Sequence, residues 1–191
     1  MGADSMARAG WIAGVALLAA PVGAQQHDPT RLPGDHPPPP LSVMLQPMAP
    51  GGPPPVGPDV PGPSLEESLS LARAAMQICA TKGYRMGASV IDSAGNIRVA
   101  LTMPGSGPGR AFTATQKALG ALRLGMPTRL ARQRLRDDAA LRARVTPNMA
   151  VFPGGVPILR GGVIIGALAL SGATAEEDDA CAATALAGAH P

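Results

Sequence analysis

GGVPILRGGVIIGALALSG, residues 154–172, carries two apolar runs on either side of Arg160-Gly161-Gly162. Residues 156–159 and 163–170 each have the length of a strand, and the glycines between them tolerate the positive φ of a tight turn. The stretch therefore predicts a β-hairpin. Pro157 has no N–H to give to a ladder, which places the first of these strands at a sheet edge or a bulge. Gly154-Gly155 admits two readings, a tight turn ahead of the strand or a concavity of backbone amides for an anion. The turn is the commoner use of a double glycine.

Working outward, Thr174-Ala175-Glu176-Glu177 is a capping box that opens a final helix, and Ser64-Leu65-Glu66-Glu67 is another. The second predicts a helix over residues 65–81, with Leu65, Leu69, Ala72, Met76 and Cys79 on its inner face. Residues 86–91 read as a buried strand. Asp92-Ser93-Ala94-Gly95-Asn96 supplies turn chemistry, and residues 97–103 return as the second strand of a hairpin. The glycines and prolines of residues 104–109 predict a loop. A helix follows over residues 110–124, stopped by Gly125 and Pro127, then an arginine-rich helix from Thr128 and a short strand at residues 149–152. Helices flanking and interrupting a run of hairpins imply an α+β domain over residues 64–189, an antiparallel sheet with helices packed on it.

The N-terminal flank is of another kind. Residues 1–24 show Arg8, an apolar stretch from Trp11 to Ala20, and the small residues Val22-Gly23-Ala24. That run is too short to span a bilayer and has the pattern of a secretory signal peptide, so the mature chain is expected to be periplasmic or secreted, with no membrane span. Residues 25–63 hold 14 prolines and read as a disordered, proline-rich linker. His27, His36, Met44 and Met48 within it match no recognised metal-ligand spacing.

The formal charge is +3, and Arg129, Arg132, Arg134, Arg136, Arg142 and Arg144 crowd into one short stretch. Nucleic-acid binding would require stacking aromatics among them, and there are none. They read as a solvated helix face, with an anion or carboxylate clamp as the alternative. Residues 64–188 contain no histidine, which excludes a Ser-His-Asp triad and a histidine-based zinc site. Asp92 falls in a turn, and Asp137-Asp138 on an exposed helix. Glu176, Glu177, Asp178 and Asp179 suit the positive end of a helix. Lys117, flanked by apolar residues, is the one side chain on which an enzyme could be built. No catalytic residue is assigned.

The hairpin stretch, with VIDSAGNIRVAL at residues 90–101 and KALGALRLGMPT at residues 117–128, resembles the GlcG/HbpS family of small α/β domains, members of which bind haem or associate with corrinoids. The resemblance implies a profilin-like fold with the N- and C-terminal helices adjacent. It implies a non-catalytic, exported haem-binding (tetrapyrrole-binding) protein. Lys117-Ala118 matches the family's recurrent lysine-alanine pair, and a threonine nearby meets haem iron in some relatives; Thr113 and Thr115 both qualify. Arg110, Thr113, Thr115, Lys117, Gly154 and Gly155 are thus the expected haem-binding residues, with a propionate near Lys117 or Arg110. The placing of the terminal helices also implies a disulfide between Cys79 and Cys181, two buried thiols being the alternative. Relatives assemble, so a homo-oligomer is expected. The competing functions are a carboxylate-binding profilin-like module and a structural, oligomer-forming unit without tetrapyrrole.

Overall fold

The computed structural model describes residues 40–46, 51, 57 and 59–189. The expected leader and most of the proline-rich segment, with His27, His36 and Met48, lie outside the described residues. Ten elements follow in order: α1 (Leu41–Met44), α2 (Leu65–Ala80), β1 (Gly87–Asp92), β2 (Ile97–Thr102), α3 (Arg110–Leu124), α4 (Thr128–Arg134), α5 (Ala139–Arg142), β3 (Gly155–Arg160), β4 (Val163–Ser171) and α6 (Ala175–Gly188). The strands form one antiparallel sheet in the order β2-β1-β4-β3. This is the expected α+β layout.

The two central strands decide the layering. Side chains alternate across a strand, and β1 is buried along its whole length, so both faces of the sheet are covered. Ala88, Val90, Leu168 and Leu170 face α2 and α6, whereas Ile91, Ala167 and Ala169 face α3. The α3 side is built of small residues, with Ala114, Ala118 and Ala121 of the helix meeting the two sheet alanines. That lets the helix backbone come very close to the strands. A Cβ added at Gly87 would lie 2.4 Å from the Ala111 nitrogen.

Local chemistry explains the element ends. Glu67 N–H donates to Ser64 Oγ (3.1 Å) while Ser64 N–H donates to Glu67 Oε2 (2.7 Å), closing the expected capping box. Thr174 caps α6 with its hydroxyl, accepting from Glu177 N–H, but the expected box stays half-closed because the Glu177 carboxylate pairs with Lys82. Pro157 sits in β3, an edge strand, and a bulge follows between Ile158 and Leu159, as its missing donor requires.

Four expectations are corrected. The inner face of α2 is Ser68, Leu71, Ala72, Ala75, Met76 and Cys79, with Leu65 58% exposed; Ser68 can be buried because its hydroxyl donates to the Ser64 carbonyl. Residues 149–152 form no strand, because Ala150 N–H donates to the Gln116 carbonyl and ties the segment to α3. Asp92 is fully buried, its carboxylate accepting from Ala94 N–H, Asn96 N–H and the Asn96 amide and lying 3.1 Å from Arg98 Nε. The arginine-rich helix is two short helices, the second capped by Asp138, which accepts from Leu141 N–H.

Cys79 and Cys181 are joined by a disulfide between α2 and α6, with Cα atoms 5.7 Å apart. The terminal helices are therefore adjacent, as the family resemblance implied. Among the described residues no helix is long and apolar enough to cross a membrane.

Candidate functional site

The expected site residues lie on α3 and the start of β3, and the helix sorts them by face. Arg110 and Thr113, three positions apart, share one side of α3 and are both partly exposed. Thr115 and Lys117 point inward and are buried. The sequence offers the two threonines as equals, and the fold separates them. Thr115 Oγ1 lies 2.9 Å from Ser89 Oγ of β1 and 3.0 Å from the Ala111 carbonyl, so it is committed to helix–sheet packing. Thr113 Oγ1 donates to the Gly109 carbonyl (3.1 Å) at the protein surface and keeps its lone pairs free.

Lys117 is the centre of a closed arrangement. Its Nζ donates to Asp178 Oδ2 (2.6 Å) and to the Leu170 carbonyl (3.1 Å), and both side chains of the pair are almost wholly buried. Asp178 Oδ1 accepts from Ala173 N–H (3.0 Å), which holds the turn between β4 and α6. Burial pushes the Asp178 carboxyl above its usual range; the hydrogen bond and charge of Lys117, then Ala173 N–H and Arg110, pull the other way without cancelling it. The sequence gives Asp178 no distinction from its acidic neighbours. Its partner is 61 positions away, so no local signal marks it.

The double glycine belongs to this same arrangement. A Cβ at Gly155 would meet the Lys117 carbonyl oxygen at 2.4 Å, and one at Gly154 would meet Lys117 Nζ and the Leu170 carbonyl oxygen at 2.9 Å. Gly155 N–H donates to Thr128 Oγ1 (2.9 Å), so that amide is not available to an anion. Close approach requires glycine at both positions, and Gly154, with φ 123°, also adopts a backbone conformation that favours glycine.

Outside that closed region, the loop before α3 carries unspent polar groups. Among the described residues, Arg110 Nε and Ser106 Oγ are buried without a hydrogen-bond partner. Gly107 packs on the guanidinium, a Cβ there lying 3.2 Å from Arg110 Nε. Gly109, the N-cap of α3, has φ 70° and no side chain to cap the helix. This end of α3 thus presents a cation, an unpartnered hydroxyl and free backbone donors, a combination suited to a carboxylate. Thr113 adds a surface oxygen one turn further along. Arg110 and Thr113 fit a haem propionate and a weak oxygen ligand respectively; Thr115, Lys117, Gly154 and Gly155 are engaged by the protein itself. A cleft of about 890 Å³ opens elsewhere, between α2, the end of α6 and the β3–β4 turn, with Leu71, Ile158, Ile165 and Leu186 in its wall. Among the described residues no group of three or more His, Cys, Asp or Glu could hold a metal ion.

A sequence model of the HbpS-like family, described as "Haem degrading protein HbpS-like", matches residues 64–187. Solved structures share the fold. A double mutant of Streptomyces reticuli HbpS is 26% identical with a TM-score of 0.60, the match covering 75% of this chain and 96% of that one. A PduOC–haem complex is 28% identical with a TM-score of 0.57, covering 62% of this chain and 88% of that one. The Klebsiella pneumoniae protein ORFY, at 23% identity and a TM-score of 0.60, shares the fold over 69% of this chain and 92% of its own. No curated protein matches. The same helices and strands that position Arg110, Thr113 and Lys117 lie within the matched residues, and the chain belongs to the HbpS-like family.

Proposed function

We propose that the protein is an exported haem binder, with haem seated on the outward side of α3 against the loop of residues 104–109. The family match carries this reading, and a similar structure is that of a haem complex. Arg110, whose buried Nε has no partner among the described residues, and Ser106 would hold a propionate, and Thr113 Oγ1 would offer an oxygen ligand. Haem supplies one-electron and oxygen chemistry at its iron. The chain's part would be to hold and orient it with a weak oxygen ligand, which would leave ferric iron largely high-spin. Leu65, Leu159 and Val163, exposed apolar side chains close to the wide cleft, support self-association of the domain.

Haemin titrated into the full chain, followed by absorbance, tests the reading. Removing a charge-assisted hydrogen bond costs about 1.5–3 kcal/mol, so Arg110→Ala should weaken binding at least tenfold, and Thr113→Ala should alter the spectrum. A His27→Ala/His36→Ala variant should bind as the parent does. Binding lost in that variant and kept in the other two would place the ligand outside the domain and overturn the proposal. Bleaching of the bound haem after a reductant is added would extend the reading from binding to breakdown.

A further inference from the structure

The domain's charge is not spread over its surface. Between Arg123 and Arg144 there are seven arginines against Asp137 and Asp138, a net +5. The other seven basic and seven acidic residues of 64–189 balance. All of the domain's net charge therefore sits on α4, α5 and their flanks. Among the described residues, Arg129 alone of the seven arginines forms an ion pair, with Asp179 at 3.1 Å.

The remaining six have no acidic partner among the described residues, yet four are held in place. Arg142 Nη1 donates to the carbonyls of Leu135 and Arg136 (2.8 and 2.9 Å), Arg144 donates to the Arg123 carbonyl, and Arg123 donates to the Ala94 carbonyl (3.0 Å). Arg132 lies over the ring of Phe152, 4.8 Å from its centre. Arg134 and Arg136 are exposed, with no side-chain partner among the described residues. A set of fixed, like-charged guanidinium groups repels itself, and holding them still removes much of the entropy a ligand would otherwise have to overcome. Phe152, 53% exposed, adds an aromatic ring to the same surface.

We infer that this arginine-rich segment docks peripherally on an anionic phospholipid bilayer. Guanidinium groups match phosphate in a fork geometry, and many shallow charges spread over a surface suit an array of head groups better than one small anion. The exposed ring beside Arg132 suits the boundary between head groups and acyl chains. The surface lacks the interleaved aromatics that a single-stranded nucleic acid would stack on.

Co-sedimentation of the full chain with vesicles of phosphatidylglycerol and phosphatidylcholine tests this, with pure phosphatidylcholine vesicles measuring what the apolar N-terminal segment contributes. Binding should be stronger to the anionic vesicles and fall as salt rises. Arg132→Gln/Arg134→Gln/Arg136→Gln should weaken the anionic component about a hundredfold, taking about 1 kcal/mol per arginine at the surface. Arg134→Gln/Arg136→Gln, which removes no contact, should weaken it about tenfold or more on the same basis. Phe152→Ala should weaken vesicle binding and leave binding of soluble polyphosphate unchanged. Equal binding to both kinds of vesicle, or anionic binding indifferent to the arginine substitutions, overturns the inference. Polyphosphate bound as tightly as vesicles, with Phe152→Ala silent in both assays, would make this a general polyanion surface and overturn the bilayer assignment.

Discussion

Asp178 shows how far one residue can depart from what its neighbours suggest. In an acidic run at a helix start, a carboxylate reads as a partner of the helix dipole, and Glu176 and Glu177 are placed that way. Asp178 instead turns into the protein to meet Lys117. A buried ion pair broken from one side leaves an uncompensated charge, so Lys117→Met should destabilise by about 3–5 kcal/mol, and Lys117→Met/Asp178→Leu by less than Lys117→Met alone. Denaturant unfolding measures both. The pH dependence carries its own sign. A carboxyl raised by folding binds its proton more tightly in the native state, so its contribution to stability declines as pH rises from the usual carboxylate range through the raised value. Asp178→Asn should abolish that decline. The lysine-alanine pair drew attention to this helix and offered Thr113 and Thr115 alike; which threonine faces outward depends on helix phase, which the resemblance alone left open.

At the scale of elements, the strongest sequence signals were chemical rather than statistical. The capping box at Ser64 closed as written, the one at Thr174 formed only its hydroxyl half, and Pro157 found the edge its missing donor demands. Glu67, lowered by the Ser64 N–H hydrogen bond and then by Arg160, gives the first box a pH signature: its stabilisation is present above the ordinary carboxylate value and is lost as pH falls through the lowered one. Ser64→Ala should cost about 1 kcal/mol in thermal or denaturant unfolding. Residues 149–152 were illegible because an apolar extended segment does not announce whether it will pair with a strand or, as here, with the Gln116 carbonyl of α3. The double glycine was visible, its reason was not. With the Lys117 carbonyl 2.4 Å from where a Cβ would sit, Gly155→Ala should destabilise by about 1–3 kcal/mol or more through forced separation of α3 and β3.

For the molecule as a whole, the sheet has two working sides. One is bridged by the disulfide joining α2 and α6 across 102 positions, and reducing it should lower stability by up to about 4–5 kcal/mol in the chain-entropy picture, measured as the shift in unfolding free energy with and without reductant. The other side carries α3, the small-residue packing beneath it and the charged surface of α4 and α5. The sequence conveyed the layers because residues 86–91 and 163–170 are short apolar runs, the pattern of strands covered on both faces. It could not convey the wide cleft, which forms where α2, the end of α6 and the β3–β4 turn converge from distant parts of the chain. That cleft and the outward side of α3 lie on opposite sides of the sheet, so a ligand's footprint distinguishes them. Hydrogen–deuterium exchange of the full chain with and without haemin should show new protection over residues 104–117, with the strands beneath unchanged. Protection confined instead to residues 63–71, 158–165 and 186–189, or to the segment before residue 47, would contradict a haem site on α3.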